Sequence, residues 1–250
     1  MSRPFTIVAA HGNGGGGLRF ALLHEHLPSD VRLRAPTLPG FPDEPADPAL
    51  TDVAGYAEAL AGHVLDAPRP RVVLGHGIGG AFALDLLQRH AGQVDGVILH
   101  APVGTRLDER ALPRLMRLPG ATRVLQHLIA APATRPLLRG LALSPETPVD
   151  VADRMLAAYG RCAAFGTMFR IIDAEWFDSL APVDVPAVLL WGEDERVLAV
   201  EQVEDYRALL PRAEVVRVPA WDHFPMLDDP RAYARRLADL ARGLVDAPAA

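Results

Sequence analysis

Two polar residues in the last quarter of the chain have the types needed for acid–base chemistry. Asp194 comes just after an apolar run that is typical of a strand, and His223 comes just after the next such run. A histidine whose ring is held by a carboxylate can serve as a general base near neutral pH. We therefore predict a catalytic pair of His223 with a carboxylate of this acidic run, for which Asp194 is one candidate. The neighbouring Glu193 and Glu195 are rival acids, and the simpler interpretation of that run is a solvated acidic loop.

A glycine-rich segment, residues 72–80, predicts a sharp turn between a strand and a helix. Gly75, Gly77 and Gly79 stand where the nucleophile elbow G-x-S-x-G has its small frame and its central residue. That elbow thrusts one attacking side chain above a sheet, and the central residue here is Gly77, which has none. The chain order is turn, then acid, then histidine, which is also the order of a hydrolase triad on such a sheet. Because Gly77 has no side chain, a covalent route through residue 77 is excluded.

The elements that must position these residues alternate between strand and helix. This rhythm predicts an α/β fold, with a mostly parallel central sheet and helices on both faces. A predicted cap at Thr51 starts the second helix. The predicted strands are 5–10, 31–35, 71–74, 94–100, 185–191 and 214–218, and the predicted helices are 18–26, 53–65, 79–90, 200–210 and 230–244.

Residues 105–180 interrupt this rhythm. The segment is rich in leucine, arginine and proline and has no strand-like run, so it predicts an insertion of several short helices. Its large apolar side chains could line an apolar pocket or could simply pack the insertion onto the main domain. Those side chains are Leu115, Met116, Met155, Phe165, Met168, Phe169 and Trp176.

These motifs together resemble the α/β-hydrolase superfamily, particularly its small bacterial members with a helical cap, from about Phe5 to Leu244. Residues 11–15 resemble the loop that supplies one oxyanion-hole amide, and residues 38–41 resemble the D-x-P-G-x-G loop. Thr37 and Pro42 depart from that second motif, where aspartate and glycine are common.

The resemblance implies an α/β-hydrolase fold whose core domain is residues 1–104 and 181–250, with residues 105–180 as a helical cap insertion. It implies that His223 is the general base and Asp194 the acid. It also implies that the backbone amides of Asn13 and Ile78 form the oxyanion hole. Gly77 is the main departure from the family.

Three functions are compatible with Gly77. In the first, the His223–Asp194 pair acts on water or on a substrate proton while the two amides stabilise an oxyanion, which supports hydrolase, lyase or other cofactor-independent chemistry. In the second, the protein binds a ligand without catalysis. In the third, Gly77 is an engineered substitution that inactivates an ordinary serine hydrolase. Other hydroxyls and the thiol have simpler roles in caps, turns and packing: Ser144, Thr167, Ser179 and Cys162.

The glycine-rich and histidine-containing segments could also indicate a nucleotide-binding site or a metal site. Residues 12–17 and 75–80 both match G-x-G-x-x-G, but neither is followed by an acidic residue at the end of the next strand, so the ribose of a dinucleotide has no partner. Gly17 is not followed by the Lys-Ser/Thr of a P-loop. His24 and His26 lie two positions apart on a helix and do not converge on one ion. We predict no cofactor and no metal.

Composition narrows the class of partner. The net charge is −6 and the isoelectric point is about 5.8, which argues against a nucleic-acid surface. No apolar run reaches the length of about 18 residues that a membrane span needs, so no membrane partner is expected. Cys162 is the single cysteine, which fits a reducing compartment. We expect a cytoplasmic protein whose partner is a small molecule; the sequence does not fix its oligomeric state.

Overall fold

The computed structural model describes residues 3–107, 110–198 and 200–247, and its centre is one parallel sheet. The strand order is β2-β1-β3-β4-β5-β6, and every neighbouring pair runs parallel. This confirms the predicted fold class. The strands are β1 (Phe5–Ala10), β2 (Val31–Arg34), β3 (Arg71–Gly77), β4 (Gly96–Pro102), β5 (Ala187–Gly192) and β6 (Ala213–Val218).

Helices cover both faces of this sheet and fill the segment between β4 and β5. A 3-10 helix, Gly16–Glu25, takes the place of the first predicted helix, and further 3-10 turns lie at Ala91–Gln93, Pro132–Thr134, Tyr159–Arg161 and Val200–Gln202. The α-helices are α1 (Val53–Leu65), α2 (Ile78–His90), α3 (Ala111–Met116), α4 (Ala121–Ala130), α5 (Arg135–Ala142), α6 (Val149–Ala158), α7 (Phe165–Ile171), α8 (Ala174–Asp178), α9 (Val203–Leu209), α10 (Pro225–Asp228) and α11 (Pro230–Asp246).

Side chains that alternate between the two faces of the sheet form two apolar cores. In β3, Val73 faces the core under α1 and α2, whereas Val72 and Leu74 face the core under α11 and the first 3-10 helix. Successive strand side chains point to opposite faces, so a strand buried on both sides reads as a continuous apolar run. The polar residues at the strand ends are thereby held at one edge of a rigid sheet.

The start of α1 differs in one detail from the prediction. Asp52, not Thr51, is the N-cap, and its Oδ1 accepts a hydrogen bond of 2.8 Å from the amide of Gly55. Both residue types cap helices well. Asp52 is the residue with an extended backbone, and its side chain reaches the first turn of the helix.

The segment between β4 and β5 carries α3 to α8, and polar contacts fasten it to the sheet domain. The amide of Ala164 donates to the carbonyl of Gly40 at 2.8 Å. The Nε1 atom of Trp176 donates to Oδ2 of Asp85 on α2 at 2.9 Å. These contacts hold the helical insertion over the end of β3. Within the described ranges, none of the helices combines the length and apolarity needed to cross a bilayer.

Candidate active site

The turn that joins β3 to α2 is built on glycines that serve different purposes. A Cβ atom on Gly79 would collide with the carbonyl oxygen of Ala10, and one on Gly75 would lie 2.7 Å from the carbonyl oxygen of Gly79. These two glycines are required because the helix crosses the strand end so closely. Gly77 is different, since the nearest atoms to its Cβ would be Gly12 Cα at 3.5 Å and His223 Nε2 at 3.9 Å.

Gly77 adopts the backbone conformation that a nucleophile elbow imposes. Its φ is +56° and its ψ is −121°, a region that side-chain-bearing residues rarely occupy. Glycine enters this region without steric cost. A small side chain at position 77 would therefore have open space around it and would lie beside the ring of His223. Its backbone would be strained by the positive φ.

Glu195, rather than Asp194, is the acid that contacts His223. Its Oε2 lies 2.8 Å from Nδ1 of His223, and its side chain is only 1% exposed. The other oxygen, Oε1, accepts hydrogen bonds from the amides of Val197 at 2.6 Å and Leu198 at 3.0 Å. Burial works against the charge on Glu195, but the ring of His223 and these amides outweigh it and lower the pKa of the carboxyl.

The predicted contact between Asp194 and His223 is not formed. The Asp194 side chain is exposed, while its amide donates to the carbonyl of Trp221 at 3.0 Å. This backbone bond joins the turn after β5 to the turn after β6 and points the next residue inward. Glu195 therefore occupies the position beside His223 that was predicted for Asp194.

His223 is also held from its own loop. Asp222 accepts a hydrogen bond from the amide of Phe224 at 2.8 Å and pairs with Arg196 at 3.2 Å. With Nδ1 facing Glu195, the Nε2 atom of His223 is the one nearest Gly77. A neutral ring that donates through Nδ1 has a free lone pair at Nε2, which is the arrangement of a general base.

The two predicted oxyanion-hole residues border the same space. Ile78 is the first residue of α2, and the amides of a first helical turn have no acceptor within their helix. Asn13 follows Gly12, whose Cα faces position 77. Both Asn13 and Ile78 line the cavity that also contains Gly77 and His223. Their amides as oxyanion donors remain a prediction.

Arg19 is a buried cation that sequence reasoning missed. It is 2% exposed, its Nη1 donates to Nδ1 of His76 at 2.9 Å, and its Nη2 donates to the carbonyl of Asn13 at 3.0 Å. Because Nδ1 of His76 accepts, its Nε2 carries the proton and donates to the carbonyl of His223 at 2.9 Å. One guanidinium thus links the loop of Asn13, the turn of Gly77 and the loop of His223.

The charge of Arg19 has no close counter-ion in the described ranges. Its Nε has no hydrogen-bond partner there, and the guanidinium stacks 5.0 Å over the ring of Phe224. Burial lowers the pKa of Arg19, yet guanidinium remains charged at neutral pH. In the structure Arg19 is buried on the same 3-10 helix as Phe20 and Leu23, but the glycine-rich sequence around it does not indicate this burial.

Three further histidines are buried beneath the site. Burial lowers the pKa of His11 to about 4 and that of His100 to about 3, and it places the pKa of His76 well below its usual value. The cation of Arg19 adds to all three shifts. These rings are neutral and structural at physiological pH, whereas His223 is the one that borders the cavity.

A cavity of about 380 Å³ lies between the site and the helical insertion. Of the predicted pocket residues, Met155, Phe165, Met168 and Phe169 line it, whereas Leu115 is exposed, Met116 is buried in packing and Trp176 bonds to Asp85. Its wall is almost wholly apolar apart from Asn13, Arg19, Arg110, Tyr159 and His223. The further apolar lining is Val103, Leu107, Leu112, Pro113, Leu125, Ile129, Leu138, Leu143, Leu156, Ile172, Val197, Leu198 and Phe224.

Ser144, Thr167, Ser179 and Cys162 could offer another hydroxyl or thiol nucleophile, but none of them lines this cavity. Cys162 is fully buried, and burial raises the pKa of its thiol to about 12, which suppresses the reactive thiolate. The hydroxyls of Ser144, Thr167 and Ser179 each bond locally within the insertion. In the part of the chain that the structure describes, no group of three or more His, Cys, Asp or Glu side chains is arranged to hold a metal.

Known proteins resemble this chain in sequence and in fold. The chain is 30% identical to the pimeloyl-[acyl-carrier protein] methyl ester esterase of Aromatoleum aromaticum, over 97% of this chain and 100% of that protein. A bacterial membrane phospholipase A is 25% identical, with a TM-score of 0.70 over 98% of this chain and 80% of that one. An esterase from Exiguobacterium antarcticum shares the fold at 17% identity, with a TM-score of 0.71 over 97% and 93% of the two chains.

The alpha/beta hydrolase family model matches residues 7–236. That range contains the turn at Gly77, the whole helical insertion and both members of the Glu195–His223 pair. Because the match extends over most of the sequence and the sheet has the required parallel order, the chain belongs to the alpha/beta hydrolase family.

Proposed function

We propose that the protein is a hydrolase of small apolar carboxylic esters in which the His223–Glu195 pair activates water directly. In this proposal residues 105–180 form the cap over the substrate. The observation that carries it is the position of His223, whose Nε2 lies 3.9 Å from the Cβ site of Gly77 while its Nδ1 is held by Glu195. A water molecule beside Gly77 would be within reach of a base whose orientation is already fixed.

The reaction proceeds in two steps. Water attacks the ester carbonyl carbon while Nε2 of His223 takes the water proton, and the carbonyl oxygen becomes an oxyanion. The amides of Asn13 and Ile78 donate to that oxyanion, and the charge of Glu195 stabilises the imidazolium. The tetrahedral intermediate then collapses, the C–O bond to the leaving alcohol breaks, and His223 returns its proton to the alkoxide. The products are a carboxylic acid and an alcohol.

The shape and lining of the cavity support an apolar acyl or alkyl group. A volume of about 380 Å³ lies within the range of small-ligand pockets, and the side chains that line it from α4, α6 and α7 are mainly Leu, Ile, Met and Phe. The relative from Aromatoleum aromaticum is named for cleaving a methyl ester, which supports the ester class. Ester hydrolysis needs nothing beyond water, the base and oxyanion donors.

Direct water attack is expected to be slow. Losing a triad nucleophile typically costs several orders of magnitude in rate, and the residual rate rests on the oxyanion hole and on binding. A binding protein without turnover is the second candidate, and Gly77 itself favours it, because the position of the usual attacking atom is a bare backbone.

The test measures hydrolysis of p-nitrophenyl butyrate together with labelling by a fluorophosphonate probe, read by intact mass. The native chain should turn over slowly and form no adduct, and His223→Ala should abolish that turnover. Gly77→Ser should form an adduct of one probe per chain, because His223 would activate the new hydroxyl. Undiminished turnover in His223→Ala would overturn the proposal. No turnover by the native chain, with tight binding of the ester, would establish the binding function instead.

A further inference from the structure

The part of the insertion that forms α3, α4 and α5 has an unusual charge. Residues 110–142 contain no aspartate and no glutamate, in a chain whose overall net charge is −6. The segment is therefore a basic region on an acidic protein. Its arginines are Arg110, Arg114, Arg117, Arg123, Arg135 and Arg139.

The same segment exposes large apolar side chains, five of them on the three helices and Leu118 in the turn between α3 and α4. On α4, the neighbouring positions Arg123, Val124, His127 and Leu128 form an exposed stripe. Contacts join α3 to α4 and α4 to α5, so these three helices are neighbours in the fold. The exposed fractions are 51% for Leu112 and Leu115, 57% for Leu118, 61% for Val124, 47% for Leu128 and 65% for Leu137.

Exposed leucines grouped on short helices with arginines among them are typical of a surface that lies in a lipid interface. Apolar side chains enter the acyl boundary while cations remain with the anionic headgroups. Isolated exposed leucines are ordinary, but a group of this size marks an interaction surface. We infer that the exposed face of α3, α4 and α5, here called the insertion surface, binds anionic lipid bilayers.

The insertion surface is continuous with the mouth of the cavity. Leu112 on α3 is half exposed and also lines the cavity, as does Val197, which is 40% exposed. On the inner side of α4 and α5, Leu125, Ile129 and Leu138 line the same cavity. Leu112 therefore belongs both to the insertion surface and to the cavity wall, so the two apolar regions meet at this residue.

A lipid surface fits these residues better than an acidic protein does. The exposed large apolar side chains outnumber the exposed arginines, so most of this surface suits an acyl boundary better than a purely acidic partner. This inference departs from the expectation drawn from whole-chain composition, because an average charge of one sign conceals a local region of the other. It goes beyond the proposed function, and its test measures binding and not turnover.

The test is co-sedimentation of the full chain with vesicles of phosphatidylglycerol and phosphatidylcholine, against vesicles of phosphatidylcholine alone. The native chain should bind the anionic vesicles, and added salt should weaken binding. Arg114→Gln with Arg123→Gln should reduce the partition coefficient by about 25-fold, at about fivefold for each arginine. Leu115→Ser with Leu118→Ser and Val124→Ser should reduce it on neutral and anionic vesicles alike.

The matched control is Arg231→Gln with Arg235→Gln, which removes the same charge from exposed positions on α11. This control should bind as the native chain does. Equal loss in the control and in the Arg114/Arg123 variant would overturn the inference, because net charge alone would then explain the binding. No binding to anionic vesicles, with binding to soluble polyglutamate that the Arg114/Arg123 variant loses, would overturn it in favour of an acidic protein partner.

Discussion

The Oε2 atom of Glu195 lies 2.8 Å from Nδ1 of His223, and the pair is almost completely shielded from solvent. We expect Glu195→Gln to lower turnover by about 10²- to 10⁴-fold, because the amide can hold the ring in the wrong tautomer and cannot stabilise the imidazolium. Steady-state hydrolysis of p-nitrophenyl butyrate measures this loss.

Asp194→Asn is the matched control for that substitution, since it changes the adjacent carboxylate on the exposed side of the turn. It should retain turnover near the native value. An equal loss in both variants would show that the acidic run acts through its overall charge and that no single carboxylate positions His223.

Gly77→Ser should lower the free energy of unfolding while it restores an attacking hydroxyl. The φ of +56° costs a side-chain-bearing residue about 1–3 kcal/mol, and the space around the Cβ adds no clash. Urea unfolding of Gly77→Ser and Gly77→Ala measures the cost. Both variants should be destabilised alike, whereas only serine should react with the fluorophosphonate. A stability equal to that of the native chain would contradict the strained geometry.

Arg19→Met should impair the oxyanion hole more than it impairs substrate binding. Loss of the guanidinium releases the carbonyl of Asn13 and Nδ1 of His76, and displacements of about 1 Å at a reacting centre can cost about 100-fold in rate. We expect kcat to fall by up to this factor with little change in KM. Arg235→Met, on the exposed face of α11, is the control. A rise in KM with unchanged kcat would show that Arg19 acts on the bound ester and not on the position of the amides.

Stability should decline as the pH falls below about 6.5, because His11 and His100 have lowered pKa values in the folded chain, about 4 and about 3. A lowered pKa means that the unfolded chain binds the proton more tightly. The stabilisation is thus complete above the unfolded pKa and is lost progressively toward the folded pKa. Each histidine adds about 1.4 kcal/mol per pH unit within that window.

His100→Asn should remove one such contribution from the slope of unfolding free energy against pH, measured by urea titration from about pH 7 to about pH 5. The Nε2 of His100 has no hydrogen-bond partner among the described residues, and burial is the main cause of its lowered pKa. The slope therefore tests the effect of burial on this ring. His24→Asn, which removes an exposed imidazole, should retain the native slope. An unchanged slope in His100→Asn would mean that the ring is hydrated in the folded chain.

Most of the sheet could be predicted from sequence because its four central strands, β1, β3, β4 and β5, are buried on both faces. The predicted bounds of β1 and α1 match the structure, and those of β3 fall short by the three residues that form the turn itself. Hydrophobic periodicity defines where an element is buried, but the end of β3 is defined by backbone contacts among glycines. The α-helices α3 to α8 could be predicted only as a group, since proline breaks and short apolar runs do not give their bounds.

The identity of the acid could not be predicted because three carboxylates follow β5 in succession. The deciding contact is between backbone groups far apart in sequence, the amide of Asp194 and the carbonyl of Trp221. Glu195 accepts hydrogen bonds from the amides of Val197 and Leu198. The exposed Asp47 and Asp52 also accept from following amides, so this local pattern does not identify the acid. Arg19 could not be identified from sequence because a single charged residue in a glycine-rich segment gives no periodic pattern of hydrophobicity.

The open space at Gly77 has a consequence for how this protein could change over generations. Its neighbours Gly75 and Gly79 are held to glycine by collision with backbone, so their identity is a condition of folding. Position 77 carries no such collision, so a side chain there meets only the backbone strain of about 1–3 kcal/mol and the demands of selection on activity. A library that varies only this codon would sample different chemistries on one unchanged scaffold, and the residue that survives under each selective pressure would record which reaction the surrounding pocket favours.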